Sequence, residues 1–308
     1  MKGLLLGLLV CWFAFSTNAQ DAESADDSKK NQALYEIPFQ LYGEKIFIDV
    51  YIDDTTKLNA VFDNGIPAYI HSGTAQKHGL QYSGTADIQG TSGGGSRYKI
   101  KNLPVRMGNY SDTFEQVVSQ IAPSYLNKRV DMVFGYELIT LFTVQIDYTE
   151  SIIKLYESRG FEAPAGYDSI PVKQWLNYPI IESDFTFSEE RVIPLKMELN
   201  VGLEVGFNID EYITRKHNLQ KTHKNNGRIM LVGPDGTGVY GQIIRINGVT
   251  IGPYQINRAK GGAFDQQVGT RNSEKIHGQI GQPILKLYNI IFSYRTNQVW
   301  MIEKPEPE

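Results

Sequence analysis

Cysteine is almost absent from this chain of 308 residues, since Cys11 is the only one. Cys11 lies in an apolar run near the N-terminus, so a chain that loses this run must be held together by its core rather than by disulfides. The five histidines are scattered without the spacing of a metal site, and we expect no metal and no cofactor. Basic residues are not in excess either: 30 Lys and Arg stand against 34 Asp and Glu, and no basic stripe favours nucleic acid as a partner.

The N-terminus has the pattern of a secretory signal. A basic start at Lys2 precedes an apolar run over 4–15 and a set of small residues that predicts cleavage after Ala19. That run is too short to span a bilayer. We therefore predict a leader over 1–19, a disordered polar spacer over 20–34, and an exported protein of the bacterial periplasm or cell surface, with no transmembrane segment in the mature chain.

Strand patterns dominate the rest of the chain. Segments such as Ile46–Asp53 and Thr143–Tyr148 are β-branched and aromatic and alternate with a period close to two. The sequence predicts an all-β protein with short helices. Two lobes are expected, over 35–160 and 178–304, and each has the size of a typical domain. A segment with Pro and Gly over 161–177 is predicted to link them.

The second half of the chain repeats the first. Three pairs of similar patches recur at separations of 144 to 147 residues, and two further pairs recur at 139 and 143. They pair Gly135 with Gly281, Gly108 with Gly252, and Ile46–Asp53 with Ile193–Asn200; the segment Gln76–Leu80 is echoed by Arg215–Leu219, and the glycine-rich loop at 93–95 by that at 236–238. Near-constant spacing across separate patches indicates an internal duplication.

The stretch from Leu58 to Ile70 organises the first half. An apolar run ends at Asp63, and Asn64 and Gly65 turn the chain into a second apolar run. A short helix over 75–80 follows and stops at a glycine. Asn-Gly between two apolar runs also predicts a plain β-hairpin. The strand, the acidic turn and the helix together favour an active-site loop.

These features resemble the pepsin-like and retropepsin-like aspartyl proteases, especially exported bacterial members, over most of the chain from 35 to 303. The resemblance implies two similar β-barrel lobes, a flap that closes over a bound peptide, and one catalytic Asp from each lobe. The two carboxylates share one proton, and together they activate water and protonate the peptide carbonyl. Asp63 matches the first catalytic position. The resemblance assigns supporting roles to Asn64 (in place of the usual Thr or Ser), Gly65, Gly135 and Gly281, and flap roles to Gly93, Gly94, Gly95, Gly236 and Gly238.

The second catalytic position departs from the family pattern. The repeat spacing lays Phe207-Asn208 over Phe62-Asp63 and so puts an amide, Asn208, in place of the second Asp. A second register keeps the glycine and puts Asn200 there, and a third restores an acid through Glu204. An amide cannot share the proton or act as a base, so either Asn lowers activity by several orders of magnitude.

We therefore expect an exported aspartyl protease homologue that has a peptide-binding cleft between its lobes and impaired catalysis. One alternative is an active aspartic endopeptidase in which Asp63 pairs with Asp63 of a second chain, or with Glu204. Another alternative is a β-rich envelope binding module without catalysis. The expected partner is a peptide or protein, and a homodimer stays open.

Overall fold

A computed structural model describes residues 32–89, 94–121, 125–175, 178–222, 227–233, 238–266 and 275–305. The predicted leader and most of the predicted spacer lie outside these ranges. Strands make up most of the described chain and the helices are short, which confirms the predicted all-β class. Within the ranges given, no helix combines the length and apolarity that a membrane crossing needs.

The first half contains eleven described strands, eight of which form one sheet. Its strands are β1 (Tyr35–Pro38), β2 (Gln40–Tyr42), β3 (Lys45–Tyr51), β4 (Lys57–Asp63), β5 (Tyr69–His71), β6 (Thr85–Gln89), β7 (Gly94–Met107), β8 (Tyr110–Gln120), β9 (Met132–Gly135), β10 (Thr143–Asp147) and β11 (Ile152–Tyr156), and its helices are α1 (Ser72–Lys77) and α2 (Tyr136–Leu141). The sheet has the order β2-β3-β4-β9-β5-β8-β7-β6. Strand β4 runs parallel to β9, which places Asp63 opposite Gly135.

The second half contains thirteen described strands, ten of which form one sheet. Its strands are β12 (Asp168–Pro171), β13 (Lys173–Trp175), β14 (Tyr178–Ser188), β15 (Arg191–Asn200), β16 (Phe207–Ile209), β17 (Arg228–Val232), β18 (Gly238–Arg245), β19 (Gly248–Ile251), β20 (Tyr254–Asn257), β21 (Lys260–Phe264), β22 (Gly278–Gly281), β23 (Tyr288–Ser293) and β24 (Gln298–Glu303), and its helices are α3 (Glu211–Lys216), α4 (Leu219–Thr222) and α5 (Gln282–Leu285). The sheet has the order β17-β18-β21-β16-β22-β15-β14-β19-β20, and β13 pairs with β14. The predicted linker therefore contains two strands, β12 and β13.

A third sheet joins the two halves. Its order is β1-β11-β10-β23-β24-β12, with three strands from each side of the molecule's centre. The central pair, β10 and β23, is antiparallel, and Gln145 lies opposite Ile291. These two residues are themselves repeat partners at the spacing of Gly135 and Gly281. The junction of the halves therefore falls on an approximate twofold axis of the duplication.

Two glycine turns show how closely the repeat is kept in the backbone. The turn from β7 to β8 has Gly108 at φ 54°, and the turn from β19 to β20 has Gly252 at φ 55°. This left-handed conformation favours glycine, and a Cβ at Gly108 would also collide with the carbonyl oxygen of Glu36. Both turns lie where the repeat predicts them.

One patch of the predicted repeat is displaced. The sequence pattern aligned Ile193–Asn200 with Ile46–Asp53, but β15 takes the place of β4 and not that of β3. Strand β15 runs parallel to β22 and brings Asn200 opposite Gly281, as β4 runs parallel to β9. Alternating apolar strands of one sheet resemble one another, so the pattern alone did not distinguish them.

Aromatic side chains anchor the strands that carry the two turns. Phe62, next to Asp63, is fully buried and meets Phe134 edge to face at 6.0 Å. Phe185 and Phe207 form a similar pair at 5.2 Å in the second half. Because neighbouring residues of a strand point to opposite faces, the buried Phe62 leaves Asp63 on the other side. Each such ring contributes about 1.5–3 kcal/mol by burial.

Candidate functional site

The turn after β4 holds the Asp63 carboxylate in a fixed orientation. Asp63 Oδ1 accepts a hydrogen bond from the backbone N–H of Gly65 at 2.8 Å. The turn after β15 has the same bond: Asn200 Oδ1 accepts from the N–H of Gly202 at 2.7 Å. The matching bonds and the matching strand register make Asn200 the counterpart of Asp63 in the second half.

The expectation that Asn208 takes the second catalytic position is wrong in its register. Asn208 lies on β16 and faces Gln279, as Tyr69 on β5 faces Val133. Its side chain is fully buried, donates to Gln279 Oε1 at 2.8 Å and accepts from the Gln279 N–H at 2.8 Å. Asn208 is therefore the counterpart of Tyr69. The repeat spacing misplaced it because the second half is longer between its turn and Gly281.

Glu204 does not lie with Asp63 either. Its side chain is 44% exposed and forms an ion pair with Lys45 Nζ at 2.7 Å. The same ammonium group donates to the carbonyl oxygen of Gly202 at 3.2 Å. The register that placed an acid from Glu204 at the second position is thus also wrong, and Lys45 ties that segment to β3 instead.

Asn64 joins the two halves beneath the site. Its buried side chain donates from Nδ2 to the Leu199 carbonyl oxygen at 2.9 Å and accepts at Oδ1 from the Val201 N–H at 2.9 Å. Its counterpart by the repeat is Val201, whose side chain has no polar atom to return the interaction. This one-sided connection therefore consists of hydrogen bonds between the Asn64 side chain of the first half and the backbone of the second half, and the Val201 side chain makes no equivalent bonds in return.

Asp63 lies directly against the turn of the second half. A Cβ at Gly202 would collide with the Asp63 carboxylate. A Cβ at Gly65 would lie 2.9 Å from Asn200 Nδ2, which brings the amide to the first turn in the same way. The two glycines therefore let the carboxylate and the amide approach each other across the junction.

Gly135 and Gly281, the predicted supporting glycines, allow a second close approach. A Cβ at Gly135 would collide with the backbone oxygen of Asp63, and one at Gly281 with that of Val205. The ends of β9 and β22 thus pack beside the two turns. Their role in any reaction stays a prediction.

Glu198 is a buried acid that the sequence reading missed. It lies on β15 two residues before Asn200 and is fully buried. A Cβ at Gly65 would lie 3.2 Å from Glu198 Oε1 and 3.2 Å from Asp63 Oδ1, so the two oxygens are within about 6.4 Å (twice 3.2 Å) of each other. In the alternating pattern of β15, Glu198 falls on the same face as the exposed Lys196, so the pattern alone predicts that it is exposed. The correct register would have revealed it, because Glu198 takes the place of the buried Val61.

Tyrosine hydroxyls border this acid pair. Burial raises the pKa of Tyr294 far above its usual range; the Asn64 side chain opposes this, and the carboxylates of Glu198 and Asp63 add to it. Burial also raises the pKa of Tyr69, and Asp63 adds to that effect. Both phenols stay neutral over the accessible pH range and offer O–H groups rather than charge.

Two glycine-tipped hairpins correspond to the predicted flaps. In the first, Gly94 pairs with Gln89 and Gly95 with Ile88 across β6 and β7. In the second, Gly238 pairs with Val232 across β17 and β18. Gly93 and Gly236 lie outside the described residues. The hairpin form is thus observed, whereas closure over a ligand stays a prediction.

Possible metal ligands and similarity to known proteins were both compared with this site. Among the described residues, no group of three or more His, Cys, Asp or Glu is arranged to hold a metal ion. No family model matches the chain, and no curated protein matches it. The likeness to aspartyl proteases therefore depends on the residues and the geometry given above.

Proposed function

We propose that this chain is an exported, two-lobed protein of the aspartic-peptidase type that binds an extended peptide between its halves and hydrolyses it poorly. The observation that carries the proposal is the pair of equivalent turns, in which Asp63 and Asn200 make the same bond to the glycine two residues on. One turn presents a carboxylate to the junction, and the other presents an amide.

The chemistry of peptide hydrolysis explains why this substitution impairs turnover. Aspartic catalysis needs one carboxylate to remove a proton from water while the other protonates the peptide carbonyl. The Asn200 amide can hold a hydrogen bond but cannot take up or release a proton at accessible pH. Asp63 retains the geometry to orient a ligand group, but the residue at the equivalent position of the second turn, Asn200, does not supply the second catalytic acid.

An active site shared between two chains has less support. Asn64 makes both of its side-chain bonds to the second half of its own chain, at Leu199 and Val201. The β10–β23 pairing closes the same junction. Pairing Asp63 with Asp63 of another chain would require both contacts to separate, so the proposal favours a cleft formed within one chain.

Calorimetry with a statine-containing, pepstatin-like peptide tests the proposed function. At pH 4.5 we expect binding by the wild-type protein and at least tenfold weaker binding by Asp63→Ala, since the statine hydroxyl loses its acceptor. A peptide library incubated with the wild-type protein should stay largely intact. Glu204→Gln, which changes an exposed acid outside the turns, serves as the control and should bind as the wild type does. Rapid cleavage of the library would support an active peptidase, and no binding at all would leave the envelope module; either result overturns the proposal.

A further inference from the structure

Glu198 gives this cleft a second carboxylate although Asn200 replaces the expected one. It is fully buried and lies across Gly65 from Asp63, at the 3.2 Å distances from a Gly65 Cβ given above. Asn200 Nδ2 donates to Glu198 Oε1 over a long 3.4 Å. The amide thus stands beside both carboxylates.

Two acids placed in this way are not easily ionised together. The charges of Glu198 and Asp63 both act on the buried Tyr294, and the charge of Asp63 also acts on the buried Tyr69. Lys45 is the cation on the neighbouring strand, and it is engaged by Glu204 and the Gly202 carbonyl. A fully buried carboxylate next to another carboxylate is costly when both are ionised, because burial and like charge both oppose the second negative charge.

We propose that Asp63 and Glu198 hold one proton between them, and that this proton is donated in a hydrogen bond to a carbonyl oxygen of the bound peptide. The inference rests on the proposed function, because it assigns the donor within the same cleft. With the proton present, the pair offers one O–H to the carbonyl. Without it, two carboxylates face the carbonyl oxygen and repel it. Peptide binding is therefore lost as the pH rises through the titration of the pair.

The pH dependence of statine-peptide affinity tests this assignment. In the wild type, affinity falls with rising pH around a midpoint set by both acids. In Glu198→Gln the like charge is removed, so Asp63 loses its proton earlier and the midpoint moves down by about one pH unit or more, which is about tenfold in affinity on the falling limb. Glu204→Gln is the matched control, since it removes an acid two residues beyond Gly202 that is outside the pair, and its midpoint stays at the wild-type value.

A titration without ligand separates this inference from the proposed function. In protein labelled with carbon-13 at the glutamate carboxyls, the Glu198 signal is the one missing from Glu198→Gln. Its midpoint should fall in Asp63→Asn, because the like charge of Asp63 is then absent. If the wild type binds no peptide but these signals behave as stated, the acid pair is upheld and the proposed function fails. If Glu198 titrates independently of Asp63, or if Glu198→Gln keeps the wild-type binding midpoint, the inference is overturned.

Discussion

The two halves of this protein share a backbone but differ in the side chains beside the junction. In the first half, Val61, Tyr69 and Val133 belong to a buried apolar cluster. In the second half, the same positions hold Glu198, Asn208 and Gln279, which are also buried. The change from apolar to polar leaves the pairing of the strands intact, since Tyr69 faces Val133 as Asn208 faces Gln279.

The difference shows that the repeated backbone accommodates buried polar side chains when these side chains form hydrogen bonds with each other. Asn208 and Gln279 exchange two hydrogen bonds at 2.8 Å, so their burial leaves these donors and acceptors paired. Backbone bonds within each half preserve the turns themselves. The second half therefore carries Asn200 where the first carries Asp63, and the two turns keep the same bond to the glycine two residues on.

A second comparison concerns the residues directly before β9 and β22. Asp131 accepts from the Asn59 N–H at 3.1 Å, and His277 accepts from the Lys196 N–H at 3.1 Å. The two side chains accept equivalent backbone hydrogen bonds at equivalent positions of the repeat. One acceptor is a carboxylate, whereas the other is an imidazole that must be neutral at this nitrogen to accept the bond.

The largest expected loss of stability comes from breaking the one-sided connection at Asn64. Asn64→Ala leaves the Leu199 carbonyl and the Val201 N–H buried without their partner, which lowers the free energy of unfolding by about 2–4 kcal/mol. Urea denaturation measures it. Asn109→Ala is the control, because Asn109 accepts from the Glu36 N–H at an exposed site, and it should cost about 1 kcal/mol or less. Equal losses in the two variants would contradict the role given to Asn64.

The next largest effect separates the two turn glycines. Gly202→Ala forces a Cβ into the Asp63 carboxylate and should lower the free energy of unfolding by about 2–3 kcal/mol. Gly65→Ala meets only looser side-chain contacts, at 2.9 to 3.2 Å, and should cost about 1 kcal/mol. Parallel urea titrations compare them. A larger cost at Gly65 would show that the carboxylate does not lie against the second turn.

The smallest effect is an acid-dependent weakening of the second half. Burial lowers the pKa of His277 to about 4, and the charges of Lys196, Lys216 and His217 add to this, whereas the unfolded value is 6.5. Between these values the unfolded chain binds the proton more readily, so the free energy of unfolding falls as pH drops from about 6.5 to 4. Because His277 is half exposed, we expect a decline of about 1 kcal/mol.

The matched measurement compares wild type and His277→Gln by urea denaturation at pH 7 and pH 4.5. The glutamine does not titrate, so the part of the decline that belongs to His277 should disappear. The same acid dependence in both proteins would mean that His277 does not keep its neutral form in the folded state.

The sequence predicted the fold further than it predicted the site. Period-two alternation and the glycines at 108 and 252 are local signals, and the structure has strands and turns there. The spacing of Gly135 and Gly281 is a signal of the repeat, and both glycines end equivalent strands. The helix predicted over 75–80 is observed at Ser72–Lys77, where His71 caps the first turn by accepting from the Gly73 N–H. The corresponding helix of the second half is Glu211–Lys216, and it is followed by His217 as the first helix is followed by His78.

The correspondence of Asn200 with Asp63 could not be predicted from the sequence, because it depends on which strands pair. Asn200 and Asn208 both follow apolar residues, and no local signal distinguishes their registers. The parallel pairing of β15 with β22 decides between them, and it joins residues about 80 positions apart in sequence. Glu198 was missed for the same reason, since its burial follows from that register.

An aspartate introduced at position 200 tests the central claim of the proposed function most directly. The measurement is the rate of peptide-library hydrolysis at pH 4.5 by wild type, by Asn200→Asp, and by Asn200→Asp combined with Glu198→Val, which matches the second half to Asp63 and Val61. We expect the hydrolysis rate to rise about a hundredfold or more in at least one of the two Asn200→Asp variants, and this gain should be lost when Asp63→Asn is added. Folded variants that bind the statine peptide but cleave no faster than the wild type would contradict the claim that Asn200 stands in the position of a missing catalytic acid.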